Sequence, residues 1–158
     1  MKNIYSNIYS FNKKTIKQTI NSLKQGNIAG LPTETVYGLA GNAYSKLAVT
    51  KIFKLKNRPK INPLIIHYLK LSKINKDVKV TKSFFKLYSK FCPGPLTFVL
   101  KKKKESKIVS LASAKLDTIA IRFPKHKVIR SILKLTDFPL AMPSANLSSG
   151  LSPVNAYD

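Results

Sequence analysis

The chain has 158 residues, of which 44% are apolar and 9% aromatic, enough for one packed domain of ordinary size. Its 29 Lys and Arg outnumber six Asp and Glu to give a formal net charge of +23, the balance of a protein that meets a polyanion or a phosphorylated substrate, or of one encoded in an AT-rich genome. A single Cys92 excludes an internal disulfide, no Cys or His cluster has metal-ligand spacing, and no apolar run approaches the roughly 20 residues that cross a bilayer.

The N-terminal stretch MKNIYSNIYSFNKK lacks the apolar core of a secretory leader, so a cytoplasmic location without a membrane partner is expected. A first helix is predicted from Lys13 to Gln25, where Ile16, Ile20 and Leu23 recur at helical spacing and Gly26 supplies the stop. NIAGLP reads as a strand ending at Pro32, followed by a turn into VYGLAGNA. A second helix is predicted from Ser45 to Lys56, with Val49, Ile52 and Phe53 on one face. NPLIIHY is a strand of the buried type, and a third helix spans Lys82 to Phe91. LTFVL and DTIAIRF are further strands, His126 to Leu135 is a fourth helix, and PLAMPS is the last strand before a Ser, Gly and Pro-rich loop. Helices interleaved with short apolar strands define an α/β fold.

Several strands run into loops that carry hydroxyls, amides, a His or an Arg: LPTET, LIIHY, TIAIRFP and LAMPSAN. Ligand clefts of α/β sheets form where strand ends deliver polar groups from separate segments, so the site is expected there. Only three of the 29 cations are Arg, namely Arg58, Arg122 and Arg130, and planar bidentate anion contacts are what Lys cannot replace. Lys56 and Arg58 at a helix end either complement the helix dipole or, with Asn62 and His67, form an anion clamp. The MPSANLSSGLSP loop is either an ordinary connector or a phosphate-binding turn. Arg122, inside an apolar strand, needs an anion. With six acids in the chain a ligand carboxylate is expected to meet it rather than an internal acid. Glu34, between two threonines, is read as an acceptor of backbone N–H groups that pins its loop, leaving Thr35 to touch the ligand. KKKKESK, residues 101 to 107, reads as a solvated loop, with nucleic-acid contact as the minority alternative.

Taken in order and spacing, GLPTETVYGLAGNA, KLKNRPKINPLIIH, CPGPLTFVL, TIAIRFPKH and PSANLSSGLSP resemble the YrdC-like threonylcarbamoyl-AMP synthase family over about residues 13 to 158. The resemblance implies a twisted, mixed sheet flanked by helices around a large concave basic cleft. It implies an enzyme that joins L-threonine, bicarbonate and ATP, with Mg²⁺ accompanying the ATP, into threonylcarbamoyl-AMP and pyrophosphate for threonylcarbamoyladenosine formation on tRNA. A downstream tRNA threonylcarbamoyl transferase complex is the implied recipient. The Lys-x-Arg and Ser-x-Asn signature falls on Lys56, Arg58, Ser144 and Asn146, implied to be catalytic. ATP contacts are implied at Arg58, Asn62, Thr118, Ser144 and Ser152, threonine contacts at Thr35, His67, Arg122 and main chain near Met142, and no protein metal ligands. Family members continue past the equivalent of Asp158, so residues 1–158 are expected to form a single YrdC-like domain that is incomplete at its C-terminal end. Ser149 stands where a Gly is usual and Val154 where a Thr is usual.

Two rival readings share the same residues. A non-catalytic module would use the positive charge to hold tRNA or double-stranded RNA, with steep salt dependence and no need of ATP or threonine. The carbamoyl-transfer module of hydrogenase maturation proteins is related, but it is embedded among zinc-finger and acyl-phosphatase-like regions, and one Cys and 158 residues argue against it.

Overall fold

The computed structural model describes residues 7–158; residues 1–6, part of the N-terminal stretch considered above for a leader, lie outside the described residues. Within them the helices start where side chains replace missing helical acceptors. Helix α1 (Lys13–Lys24) opens with a reciprocal box in which Asn12 Oδ1 accepts from the Thr15 amide and Thr15 Oγ1 accepts from the Asn12 amide. Ser45 caps α2 (Lys46–Leu55), Thr81 caps α3 (Lys82–Phe91), and His126 Nδ1 accepts from Val128 N at the start of α4 (Lys127–Leu135). Gly26, at φ +77°, ends the first helical segment in a conformation that favours glycine.

Strands β1 (Ile28–Pro32), β2 (Tyr37–Asn42), β3 (Ile65–His67), β4 (Thr97–Lys101), β5 (Thr118–Arg122) and β6 (Leu140–Ala141) form one mixed sheet in the order β1-β2-β6-β3-β5-β4. Only β3 and β5 run parallel, pairing His67 with Arg122; the other neighbours are antiparallel. Successive strand residues enter opposite cores, as the pleat requires. Leu39, Ile66 and Ala141 pack with Val49, Ile52 and Phe53 of α2 and Phe84 of α3. Ala40 and Leu140 pack with Ile20 and Leu23 of α1 and Ile129, Ile132 and Leu133 of α4. The sheet therefore separates two helical layers, the α/β architecture expected. Among the described residues no helix is long and apolar enough to cross a membrane.

The helices lie within a residue or so of their predicted bounds, with Gln25, Ser45, Lys56 and His126 as flanking caps rather than helical residues. The expected strand in PLAMPS narrows to two residues. The element that composition conceals is β2. YGLAGN contains two Gly and one Ala, poor strand formers, yet it pairs along all of β1. Glycine here permits close approach rather than weak pairing. A Cβ on Gly41 would lie 3.1 Å from Ile52 Cδ1 and 3.2 Å from Ala48 Cβ, and one on Gly38 would overlap the Met142 side chain at 2.5 Å.

The lysine-rich turn after β4 is organised by an acid that sequence reading passes over. Asp77 is fully buried. Its Oδ2 accepts from the hydroxyls of Tyr44 at 2.7 Å and Tyr68 at 2.8 Å, and its Oδ1 accepts from Ser106 Oγ at 2.8 Å and Lys107 N at 3.2 Å. Burial beside this carboxylate raises both tyrosine pKa values. KKKKESK is thus tied down at its end, through Ser106 and Lys107, while its lysines remain largely at the surface. Asp77→Ala strands the buried Tyr68 phenol and the half-buried Tyr44 phenol and is expected to lower unfolding free energy by about 3 kcal/mol or more in urea denaturation, with Asp77→Asn costing less.

Candidate active site

A pocket of ≈ 300 Å³ opens where the β1–β2 loop, the ends of β3 and β5, and the segment after β6 converge. Ile65 and His67 face it while the intervening Ile66 enters the core. Arg122, the last residue of β5, stands beside His67 because the two strands are parallel and in register. Met142 reaches the wall because its amide donates to Ile65 O at 2.9 Å and Gly38 leaves room for its side chain. Thr33, Thr35, Arg58 and Ser144 complete the polar lining.

Arg122 meets an internal acid, which the scarcity of carboxylates had argued against. Its Nη2 donates to Glu34 Oε1 at 2.7 Å and its Nε to the same oxygen at 3.2 Å. Glu34 Oε2 accepts the amides of Lys125 at 3.0 Å and His126 at 3.3 Å. The acid does take backbone N–H groups, and two of them come from the β5–α4 loop, outside its own turn. Burial acts to raise the Glu34 pKa; hydrogen bonding to Arg122, backbone N–H groups and the Arg122 charge outweigh it and hold the carboxyl below its usual value.

Thr35 Oγ1 accepts from Arg122 Nη2 at 3.2 Å. Thr33 Oγ1 spends its proton on Val36 O at 2.7 Å, so in the 3.0 Å contact between the two hydroxyls Thr35 donates. The Thr35 hydroxyl consequently offers the pocket a lone pair, suited to an incoming N–H or O–H donor.

Arg58 and Lys56 part company at the end of α2. Asn57, at φ +48°, turns the chain in a Schellman closure, with Arg58 N donating to Phe53 O at 3.0 Å and Asn57 N to Lys54 O at 3.2 Å. Arg58 then lines the pocket, steadied by Nε to Asn62 O at 3.1 Å and Nη2 to Pro63 O at 3.0 Å. Lys56 turns inward instead and is buried. Its Nζ donates to Ser144 O at 2.7 Å and to Asn146 O, and its own carbonyl accepts from Ser148 N at 3.0 Å. Burial, with Arg58 nearby, lowers its pKa. Lys56 thereby fastens the 144–148 loop and is not part of the pocket lining.

The four residues implied for threonine, Thr35, His67, Arg122 and Met142, all share the pocket. Of those implied for ATP, Arg58 and Ser144 line it, whereas Asn62 and Ser152 are exposed and outside the lining and Thr118 begins β5 opposite Lys101, about 13 Å of strand from Arg122. Asn146 donates to Leu147 O at 2.6 Å and Gly150 O at 2.9 Å, while its Oδ1 is buried without a partner. Ser149 has φ +71°, the conformation for which its usual glycine is suited, and Val154 is exposed with its amide bonded to Asp158. Sequence reading missed two things: Thr33 as a wall residue and Glu34 as the partner of Arg122. The alternation T-E-T marks a polar turn but does not name its partners: Glu34 and Thr35 both meet Arg122, while Thr33 donates to Val36 O.

The fold is α/β, and a polar pocket lies at the strand ends. The family model for Sua5, YciO and YrdC, described as "Telomere recombination", matches residues 21–158, and the chain belongs to that family. It is 39% identical over 136 residues to the threonylcarbamoyl-AMP synthase of Pyrococcus abyssi, covering 85% of this chain and 39% of that protein. It is 36% identical over 157 residues to the putative threonylcarbamoyl-AMP synthase of Methanocaldococcus jannaschii, covering 97% of this chain and 72% of that protein. The structure of P. abyssi Sua5 complexed with L-threonine superposes with a TM-score of 0.89 at 36% identity, over 94% of this chain and 44% of that one. The chain spans about two fifths of the length of the first curated relatives it matches.

His67 supplies the pH dependence of this region. Burial, reinforced by the Arg122 charge, lowers its pKa to about 4. The unfolded chain binds a proton near pH 6.5 that the folded chain refuses, so this contribution is complete above that pH and is lost as pH falls toward 4. Between about pH 7 and about pH 5 the loss is expected to be about 2 kcal/mol in urea denaturation, and His67→Gln should flatten it.

Proposed function

We propose that this chain is an L-threonylcarbamoyladenylate synthase, converting L-threonine, bicarbonate and ATP into threonylcarbamoyl-AMP, pyrophosphate and water for threonylcarbamoyladenosine formation on tRNA. The observation that carries the reading is the convergence of Thr35, His67, Arg122 and Met142 on one pocket, with Arg58 and Ser144 on the adjoining wall. The names of the relatives and the threonine held by P. abyssi Sua5 support it.

The chemistry asks for orientation and charge stabilisation more than for acid–base pairs. The threonine carboxylate suits Arg122, its amine or hydroxyl suits the Thr35 lone pair, and Arg58 suits phosphate oxygens, where a guanidinium binds in a fork. A basic cleft extending from this pocket would complete the nucleotide site, reaching toward Asn62, Thr118 and Ser152. Lys56 and Asn146 serve by shaping the loop that carries Ser144.

Among the described residues no group of three or more His, Cys, Asp or Glu side chains stands together. Mg²⁺ fits this donor set only as a companion of ATP, liganded by triphosphate oxygens and water, where it would offset phosphate charge. The product, an activated mixed anhydride, calls for a transferase partner that passes it to tRNA, and a cytoplasmic location agrees with that role.

The test is pyrophosphate release by the purified chain with ATP, Mg²⁺ and bicarbonate, with and without L-threonine. Threonine-dependent release is expected, and Arg58→Ala should lower kcat/KM for ATP by about 10- to 100-fold, the equivalent of one charged hydrogen-bonding group. Release that ignores threonine, or an unaffected variant, would contradict the proposal.

A further inference from the structure

Glu34 sits between two lining residues, Thr33 and Thr35, and is bonded to a third, Arg122, so its geometry shows what it does there. Both oxygens are fully engaged: Oε1 takes two N–H groups of Arg122, and Oε2 takes the amides of Lys125 and His126. A carboxylate holding four donors has little capacity left for a ligand. It is fixed in turn by its neighbours, since Thr33 and Thr35 close the β1–β2 turn around it and Arg130 Nη1 donates to Pro124 O at 3.1 Å, steadying the loop that supplies the two amides.

The effect falls on Arg122. A guanidinium has five N–H donors in a rigid plane. Glu34 and Thr35 take Nε and Nη2, and among the described residues Nη1 has no hydrogen-bond partner. We propose that Glu34 is a positioning residue that locks the Arg122 guanidinium by one edge, so that the Nη1 side stands ready for the carboxylate of an amino-acid substrate. The same carboxylate ties the β1–β2 loop to the β5–α4 loop, keeping Thr35 beside that edge. This deepens the reading of the pocket as an amino-acid site and rests on it.

An arginine held in advance loses less side-chain freedom on binding than one that must be ordered by the ligand. Loss of the lock should therefore weaken amino-acid binding without touching the nucleotide. Glu34→Gln removes the charge and replaces an acceptor by a donor; Glu34→Asp keeps the charge but is one methylene too short to reach Arg122 and the α4 amides together.

Calorimetric titration of the parent chain and both variants with L-threonine and, separately, with ATP and Mg²⁺ tests this, alongside steady-state pyrophosphate release. Both variants are expected to bind L-threonine about tenfold or more weakly, with KM for threonine raised and ATP affinity changed less than about twofold. Should Glu34→Gln fail to fold, Glu34→Asp carries the comparison. Equal threonine affinity in parent and variant, or equal losses for threonine and ATP, would overturn the positioning role while leaving the functional reading intact. No threonine binding by the parent chain would overturn that reading, and this inference with it.

Discussion

The site depends on one constraint: a guanidinium at the end of a buried strand must be met by an anion. Arg122 arrives there because β5 is the parallel partner of β3 and is flanked on its other side by β4, so its last residue emerges between His67 and Thr97. Uncompensated, such a charge would be expensive. Glu34 compensates it from a loop 88 residues earlier in the chain, and in doing so joins two loops that the sheet order places apart. The pocket wall is a consequence of that pairing, because Thr33, Thr35 and Arg122 hold their positions relative to one another through it.

A second clasp acts on the opposite wall. Lys56 closes the end of α2 onto the carbonyls of Ser144 and Asn146, and the amide of Ser148 returns to the carbonyl of Lys56. Tyr37 further bonds Ala145 N through its carbonyl and Pro153 O through its amide, so the segment after β6 is threaded along β2. Charge here is spent on holding main chain. Of the two cations in the Lys-x-Arg motif, one organises the loop and the other faces the cavity, and the left-handed turn at Asn57 is what separates their directions.

Much of the fold was legible because its signals are local. Asn12, Ser45, Thr81 and His126 mark helix starts by chemistry that acts within three residues, and the apolar periodicities of α1 to α4 follow from the same sequence windows. Strand β2 was hidden because its glycines answer to other elements: Gly38 is dictated by Met142, far along the chain, and Gly41 by Ala48 and Ile52 of the following helix. The convergence of Thr35, His67, Arg122 and Met142 was legible as a likeness of motifs. The partners of the acids were not, since nothing near Glu34 points to Arg122 and nothing near Asp77 points to Tyr44 or Ser106. The scarcity of acids misled as well. Few carboxylates suggested that none was to spare for Arg122, whereas scarcity here means that two of the six, Glu34 and Asp77, are buried or half-buried organisers.

The most direct test of the account is an amide NMR titration of the ¹⁵N-labelled chain with L-threonine. If the strand-end pocket is the amino-acid site, the perturbed resonances will cluster at residues 33–36, 65–67, 122–126 and 142–146, with Lys125 and His126 moving because their amides rest on Glu34. Perturbations centred elsewhere, for example on the exposed face of α3, or none at saturating threonine, would contradict it.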